Sequence, residues 1–126
     1  MELFPIQTKS KIGPEALEQI AFFEWIALNP RIKKAAIHIP NEGRRSWWYG
    51  KILKRMGLKA GVSDIFIAIA SGEYHGLWVD MKAGKNKTTP CQKEFLINMS
   101  NEGYATAICY SATQAINTLE KYLSFE

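Results

Sequence analysis

Asp64-Ile65-Phe66-Ile67-Ala68-Ile69-Ala70, the turn Ser71-Gly72-Glu73, and the return through Leu77-Trp78-Val79-Asp80-Met81-Lys82 form the stretch that decides how this chain folds. Residues 64–70 are β-branched and apolar, which suits a central strand buried on both faces. Ser71-Gly72-Glu73 carries turn chemistry, and residues 75–82 are expected to return antiparallel. A hairpin centred near Gly72 sets Asp64 opposite Asp80, with Cβ atoms roughly 4.5–5.5 Å apart. Asp80 and Lys82, two apart in a strand, leave by the same face. Two carboxylates that close repel each other unless a cation lies between them. A hard cation such as Mg²⁺ takes oxygen ligands at roughly 2.0–2.1 Å. With an ammonium alongside, this is the layout of metal-dependent phosphodiester cleavage.

Outward from the hairpin, helices and strands alternate. Gly13-Pro14 opens a helix, since the N–H that proline lacks has no partner there anyway. Residues 15–28 are strong helix formers, with Leu17, Ile20, Ala21 and Leu28 on one stripe, and Asn29-Pro30 is expected to stop them. Residues 35–39 read as a short buried strand ended by Pro40, and Asn41-Glu42-Gly43 as a loop. Residues 46–56 read as a helix, Ser46 capping its start and Gly57 lying just past its end. Residues 83–89 form a lysine-rich polar loop. Then come helix Pro90–Asn101, a strand at 104–110, and a last helix opened by Ser111 and running to about Leu123. The order α-β-α-β-β-α-β-α predicts an α/β fold, a mixed sheet flanked by helices.

The bulk numbers narrow the classes. At 126 residues the chain is expected to be one domain. Its hydrophobic fraction of 47% and charged fraction of 22% are ordinary for a soluble globular protein. No apolar run is long enough to span a membrane, and Met1 to Gly13 lacks the order of a secretory signal. Cys91 and Cys109 have no CxxC spacing, so reduced thiols in a cytoplasmic, intracellular setting are expected. The net charge of +4 is compatible with a polyanionic partner. Placement adds to it: Arg31, Lys33, Lys34, Arg44, Arg45, Lys51, Lys54, Arg55 and Lys59 precede Asp64, while Lys85 and Lys87 follow Lys82.

These signals resemble the PD-(D/E)xK nuclease superfamily, with its restriction-endonuclease-like sheet, and more closely its VRR-NUC (virus-type replication-repair nuclease) family. The matching positions are Glu15 and Gln19, Ile39-Pro40-Asn41-Glu42-Gly43, Gly57, Gly61-Val62-Ser63-Asp64, Gly76-Leu77-Trp78-Val79-Asp80-Met81-Lys82, Gln92, and Gly103-Tyr104. They run in the family's order over residues 15–123. Two positions depart from the superfamily pattern. Ser63 stands where a proline usually precedes the first acid, and Asp80 stands where a glutamate is usual, one methylene shorter.

The resemblance implies Mg²⁺ or Mn²⁺ dependence and cutting of DNA that leaves a 5′-phosphate. Asp64, Asp80 and the backbone carbonyl of Met81 are then the expected metal ligands. Glu15 on the first helix is the expected further acid, with Glu18 competing for that role. Lys82 is assigned to the attacking water. Gln92 is expected to support either that water or Lys82. Asn41 either bonds DNA or shapes its loop, and Arg44, Arg45, Lys85 and Lys87 are expected on phosphates. Trp47, Trp48 and Tyr49 stack on unpaired bases, form a subunit contact, or pack in a core, the commonest fate of adjacent aromatics. His38 and His75 show no metal-motif spacing and read as structural.

Stand-alone proteins resembling this family look like branched-structure nucleases of phages and prophages. A homodimer acting on four-way (Holliday) junctions or flaps is therefore expected, since a twofold dimer suits a nearly symmetric junction. The rivals are a nucleic-acid-binding module without catalysis and a restriction-type enzyme that reads sequence.

Overall fold

β2 (Ile65–Ile67) and β3 (Leu77–Met81) make the antiparallel hairpin at the centre of the sheet, paired Ile65 to Val79, Phe66 to Trp78 and Ile67 to Leu77. Continued by one residue, this register sets Asp64 across from Asp80, as the sequence implies. The tip closes one step differently. Ser71 pairs with Tyr74 around Gly72-Glu73, so the arm leading into the turn holds one residue more than the arm leaving it. That extra residue ends regular pairing, which is why both strands are shorter than 64–70 and 75–82.

The computed structural model describes residues 12–40 and 47–126. On the outer side of β2 lies the antiparallel strand β1 (Ala36–His38), and beside β3 lies the parallel strand β4 (Ala105–Cys109). The sheet order is β1-β2-β3-β4. A parallel neighbour needs a crossover, and α4 (Pro90–Asn101) provides it. Thr89 and Gln92 form a capping box at its start, so Pro90 opens it where expected. Ser111 caps α5 (Ala112–Leu123) through the Gln114 N–H, also where expected.

Alternation along the hairpin divides the packing. Ile65, Ile67, Leu77, Val79 and Met81 are buried with Phe22 and Ile26 of α1 (Pro14–Ile26) and with Ala115, Leu119 and Tyr122 of α5. The intervening residues Phe66 and Trp78 face the other way. Trp78 meets Phe95 of α4 edge-on at 5.0 Å between ring centres, and Phe66 lies 4.4 Å from Trp78. Asp80 and Lys82 continue the Trp78 row.

Two readings of the first helix need correction. The stripe of Leu17, Ile20, Ala21 and Leu28 is not the buried face, and Leu28 is 81% exposed. Phe22 and Ile26, one turn apart, are the anchors instead. They sit in the C-terminal half that reaches the core, while the N-terminal half borders a cleft. Asn29-Pro30 does stop the helix, but it also starts another, α2 (Pro30–Ala35), so the order has one helix more than expected. The Asn29 side chain accepts from the N–H groups of Arg31 and Ile32, and Pro30 occupies the first turn.

The segment entering β2 is pinned at Gly61. Its φ is +84°, and an added Cβ would lie 2.5 Å from the carbonyl carbon and oxygen of Cys91 in the first turn of α4. Both the backbone conformation and the space demand glycine. Gly61→Ala is expected to destabilise the fold by roughly 2–3 kcal/mol. Urea unfolding would measure it, and a change under about 0.5 kcal/mol would contradict that account of the packing.

Candidate functional site

The carboxylates meet at the end of the hairpin away from the turn. Asp64 sits just before β2, and its Oδ2 accepts the backbone N–H of Met81 at 2.8 Å, a bond across the two arms. This holds the Asp64 carboxyl beside the last residues of β3. Asp80 is 1% exposed, and among the described residues neither of its carboxylate oxygens has a hydrogen-bond partner. An ionised carboxylate in that position costs several kcal/mol unless something charged meets it.

Lys82 meets that need only in part. Its Nζ is 4.0 Å from Asp80 Oδ2, at the outer limit of an ion pair, but 2.7 Å from Gln92 Oε1. Gln92 Oε1 also accepts the Thr89 N–H at 2.9 Å, so the α4 capping box doubles as the mount for the ammonium. Of the two roles open to Gln92, the geometry matches support of Lys82. The consequence for Asp80 is electrostatic. Burial, then the Asp64 carboxyl that would share a proton with it, push its pKa up to about 7, with Lys82 pulling the other way.

Beside this pair opens a cleft of about 390 Å³, lined by Gly13, Glu15, Ala16, Gln19, Ile20, His38, Pro40 and Asp64. Glu15 and Asp64 thus share a wall, and Glu15 adds weakly to the negative field at Asp80. Glu18 is engaged elsewhere. Its Oε1 accepts the Ala112 N–H at 2.9 Å, where a carboxylate also suits the start of α5. Among the described residues no three His, Cys, Asp or Glu side chains converge tightly enough to hold a metal. The close set is Asp64 with Asp80, and Glu15 lines the adjoining cleft.

His38 lines the same cleft. Its Nδ1 lies 2.9 Å from Gln19 Nε2 and 3.0 Å from the Asp64 carbonyl oxygen. A protonated Nδ1 donates to that carbonyl, and a bare one accepts from Gln19; the tautomer selects. The only hint in the sequence was its place just before Ile39-Pro40, and Ile39 N–H does bond the same Asp64 carbonyl at 2.7 Å. His75, by contrast, packs on Gly103 and on Tyr104.

Lys85 and Lys87 are exposed on the turn after Lys82. Asn41, Arg44 and Arg45, with Ser46 and the rest of the Ile39–Gly43 motif beyond Pro40, lie outside the described residues. Trp47, Trp48 and Tyr49, for which core packing was the commonest fate, are instead exposed on α3 (Trp47–Arg55).

Two comparisons are empty: no family model matches the chain, and no curated protein matches it. Among solved structures it is similar to one titled "VRR_NUC domain protein". The two share 28% identity over 89% of each chain, with a TM-score of 0.78. A four-stranded mixed sheet flanked by helices, with this likeness, defines a restriction-endonuclease-like α/β domain of the nuclease class. More narrowly, the chain folds as a VRR-NUC domain. Among the described residues no helix is long and apolar enough to cross a membrane.

Proposed function

We propose that this chain is a Mg²⁺- or Mn²⁺-dependent DNA endonuclease acting as a homodimer on branched DNA, four-way junctions foremost. The observation that carries the reading is Asp80. Among the described residues both oxygens of this buried carboxylate lack a hydrogen-bond partner, beside a second carboxylate with which Asp80 would otherwise have to share a proton. The ion pair with Lys82, 4.0 Å long, offsets this only in part, because the ammonium's short hydrogen bond goes to Gln92. Binding phosphate alone calls for no acids, which disfavours a module without catalysis.

Two carboxylates and a backbone carbonyl are oxygen donors of the kind a hard divalent ion takes. Asp64, Asp80 and the Met81 carbonyl would hold it, with Glu15 on the cleft wall as a further acid. When bound, such an ion supplies Lewis acidity and lowers the pKa of water. The chain's own residues do the rest. Asp64 fixes the end of β3 through the Met81 N–H, so the two acids stay in register. Lys82, mounted on Gln92, places a fixed positive charge where charge builds on the phosphate. Lys85 and Lys87 extend that field toward the DNA backbone. An intracellular setting suits the two free thiols.

The test is to incubate the protein with labelled linear, flapped and four-way DNA in Mg²⁺, Mn²⁺ or EDTA, with light scattering for mass. Cutting of branched DNA in either metal, none in EDTA, and a dimeric mass are expected. Equal cutting of linear and branched duplex, or a monomer, would remove the junction reading. No cutting under any condition would remove the enzyme.

A further inference from the structure

Helix α3 is built unlike the others. Its sequence, Trp47-Trp48-Tyr49-Gly50-Lys51-Ile52-Leu53-Lys54-Arg55, buries no residue. Trp47 is 74% exposed, Trp48 66% and Tyr49 51%. Large aromatics held in water at neighbouring positions mark a surface that something covers. Charge narrows what that is. The helix carries Lys51, Lys54 and Arg55 and no acid. Two copies of this face would bring like charges together, whereas a polyanion would neutralise them.

The aromatic and cationic groups are also interleaved. Lys51 Nζ sits 3.9 Å over the Trp47 ring, one helical turn away. The ammonium covers one face of the indole, and with Trp47 74% exposed the other is left for a base. Rings for stacking next to cations for the backbone are what a single nucleic-acid strand requires. The helix leads through Gly57 and the Gly61–Cys91 contact into Asp64. Lys59 and Ala60 share a cavity with Cys91, one residue before the Gln92 that mounts Lys82.

We propose that α3 is a stacking platform for unpaired bases of a DNA strand leading into the Asp64–Asp80 site. Substrates with unpaired nucleotides beside the cut are then favoured over fully paired ends. The inference rests on the nuclease reading for its direction toward the site, but the two fail separately.

Binding is measured in EDTA by fluorescence anisotropy, with a labelled oligothymidine and a blunt duplex of equal length. The Trp47→Ala/Trp48→Ala protein is expected to lose about tenfold or more in affinity for the single strand. Its loss for the duplex is expected to stay under about twofold, because phosphate contacts dominate there. Trp47→Phe/Trp48→Phe is expected to restore most single-strand binding, as stacking survives the smaller ring. Equal losses on both DNAs, or no loss on either, would overturn the platform. So would a double variant that turns a dimer into a monomer while single-strand affinity holds, since the patch would then cover a second copy. Wild-type protein that binds the single strand through α3 yet never cuts would sink only the nuclease reading.

Discussion

The Asp64→Asn protein is expected to bind four-way DNA about as well as wild type and to cut it roughly 10³-fold more slowly, or not at all. Asparagine is the informative replacement because Asp64 has two jobs. Its Oδ2 accepts the Met81 N–H at 2.8 Å, and an amide oxygen can still do that. What the amide lacks is the charge that, with Asp80, would hold a divalent ion. Asp64→Ala removes both, so it should also lose roughly 1–3 kcal/mol of stability from the stranded N–H. Lys82→Ala is expected to reduce cutting by roughly 10²–10³-fold with binding largely intact. Gln92→Ala should land between wild type and Lys82→Ala, roughly 10–10²-fold down, because it frees the ammonium without removing it. Gel assays of junction cleavage in Mg²⁺, paired with binding in EDTA, separate these effects. An Asp64→Asn or Asp64→Ala protein that cuts at the full rate would exclude the mechanism.

Much of that arrangement is legible in the sequence, and the reason is local. Side chains alternate along a strand and Gly72 lies in the turn, so Asp64, Asp80 and Lys82 can be set together from position. The register holds only because an extra residue in the first arm offsets the Gly72-Glu73 turn. Pro90, Gly103 and Ser111 bound their elements through cap chemistry that acts within a few residues. Long-range packing was not legible in the same way. Nothing near Glu18 says that its carboxylate reaches Ala112, yet that bond separates it from Glu15. The Gln19–His38 contact depends on how α1 lies over β1. The exposed stripe on α1 misled for the same reason: periodicity names a face, and only the partner element decides whether it is covered. Asn29-Pro30 failed differently, since one dipeptide both ends a helix and begins the next.

Asp80→Asn is expected to move stability and activity in opposite directions. In the metal-free wild-type fold the Asp80 pKa is pushed up to about 7 from an ordinary 3.8, chiefly by burial and then by Asp64. The folded state therefore holds a proton that the unfolded chain gives up first. Below the ordinary value both states are protonated and the fold is at its best with respect to this group. As pH rises from there through about 7, the unfolded chain ionises freely while the folded one resists, and stability is lost. Above that window both are ionised and the loss is complete, on the order of a few kcal/mol. Asparagine has nearly the same shape and no charge to desolvate, so the variant should lack this slope. In EDTA at about pH 8 it should melt above the wild type, the shift being several degrees for a domain of this size. Adding Mg²⁺ should then raise the wild-type Tm and leave the variant's almost unchanged, since binding to the folded state alone stabilises it. The stabilised variant should cut no DNA. Thermal melts across the pH window, with and without Mg²⁺, check every part of this, and parallel pH curves for the two proteins would show that the Asp80 charge is already met within the fold. The opposite outcome would make Asp80 a buried charge that this fold retains at a cost in stability, for which a divalent ion is the natural partner.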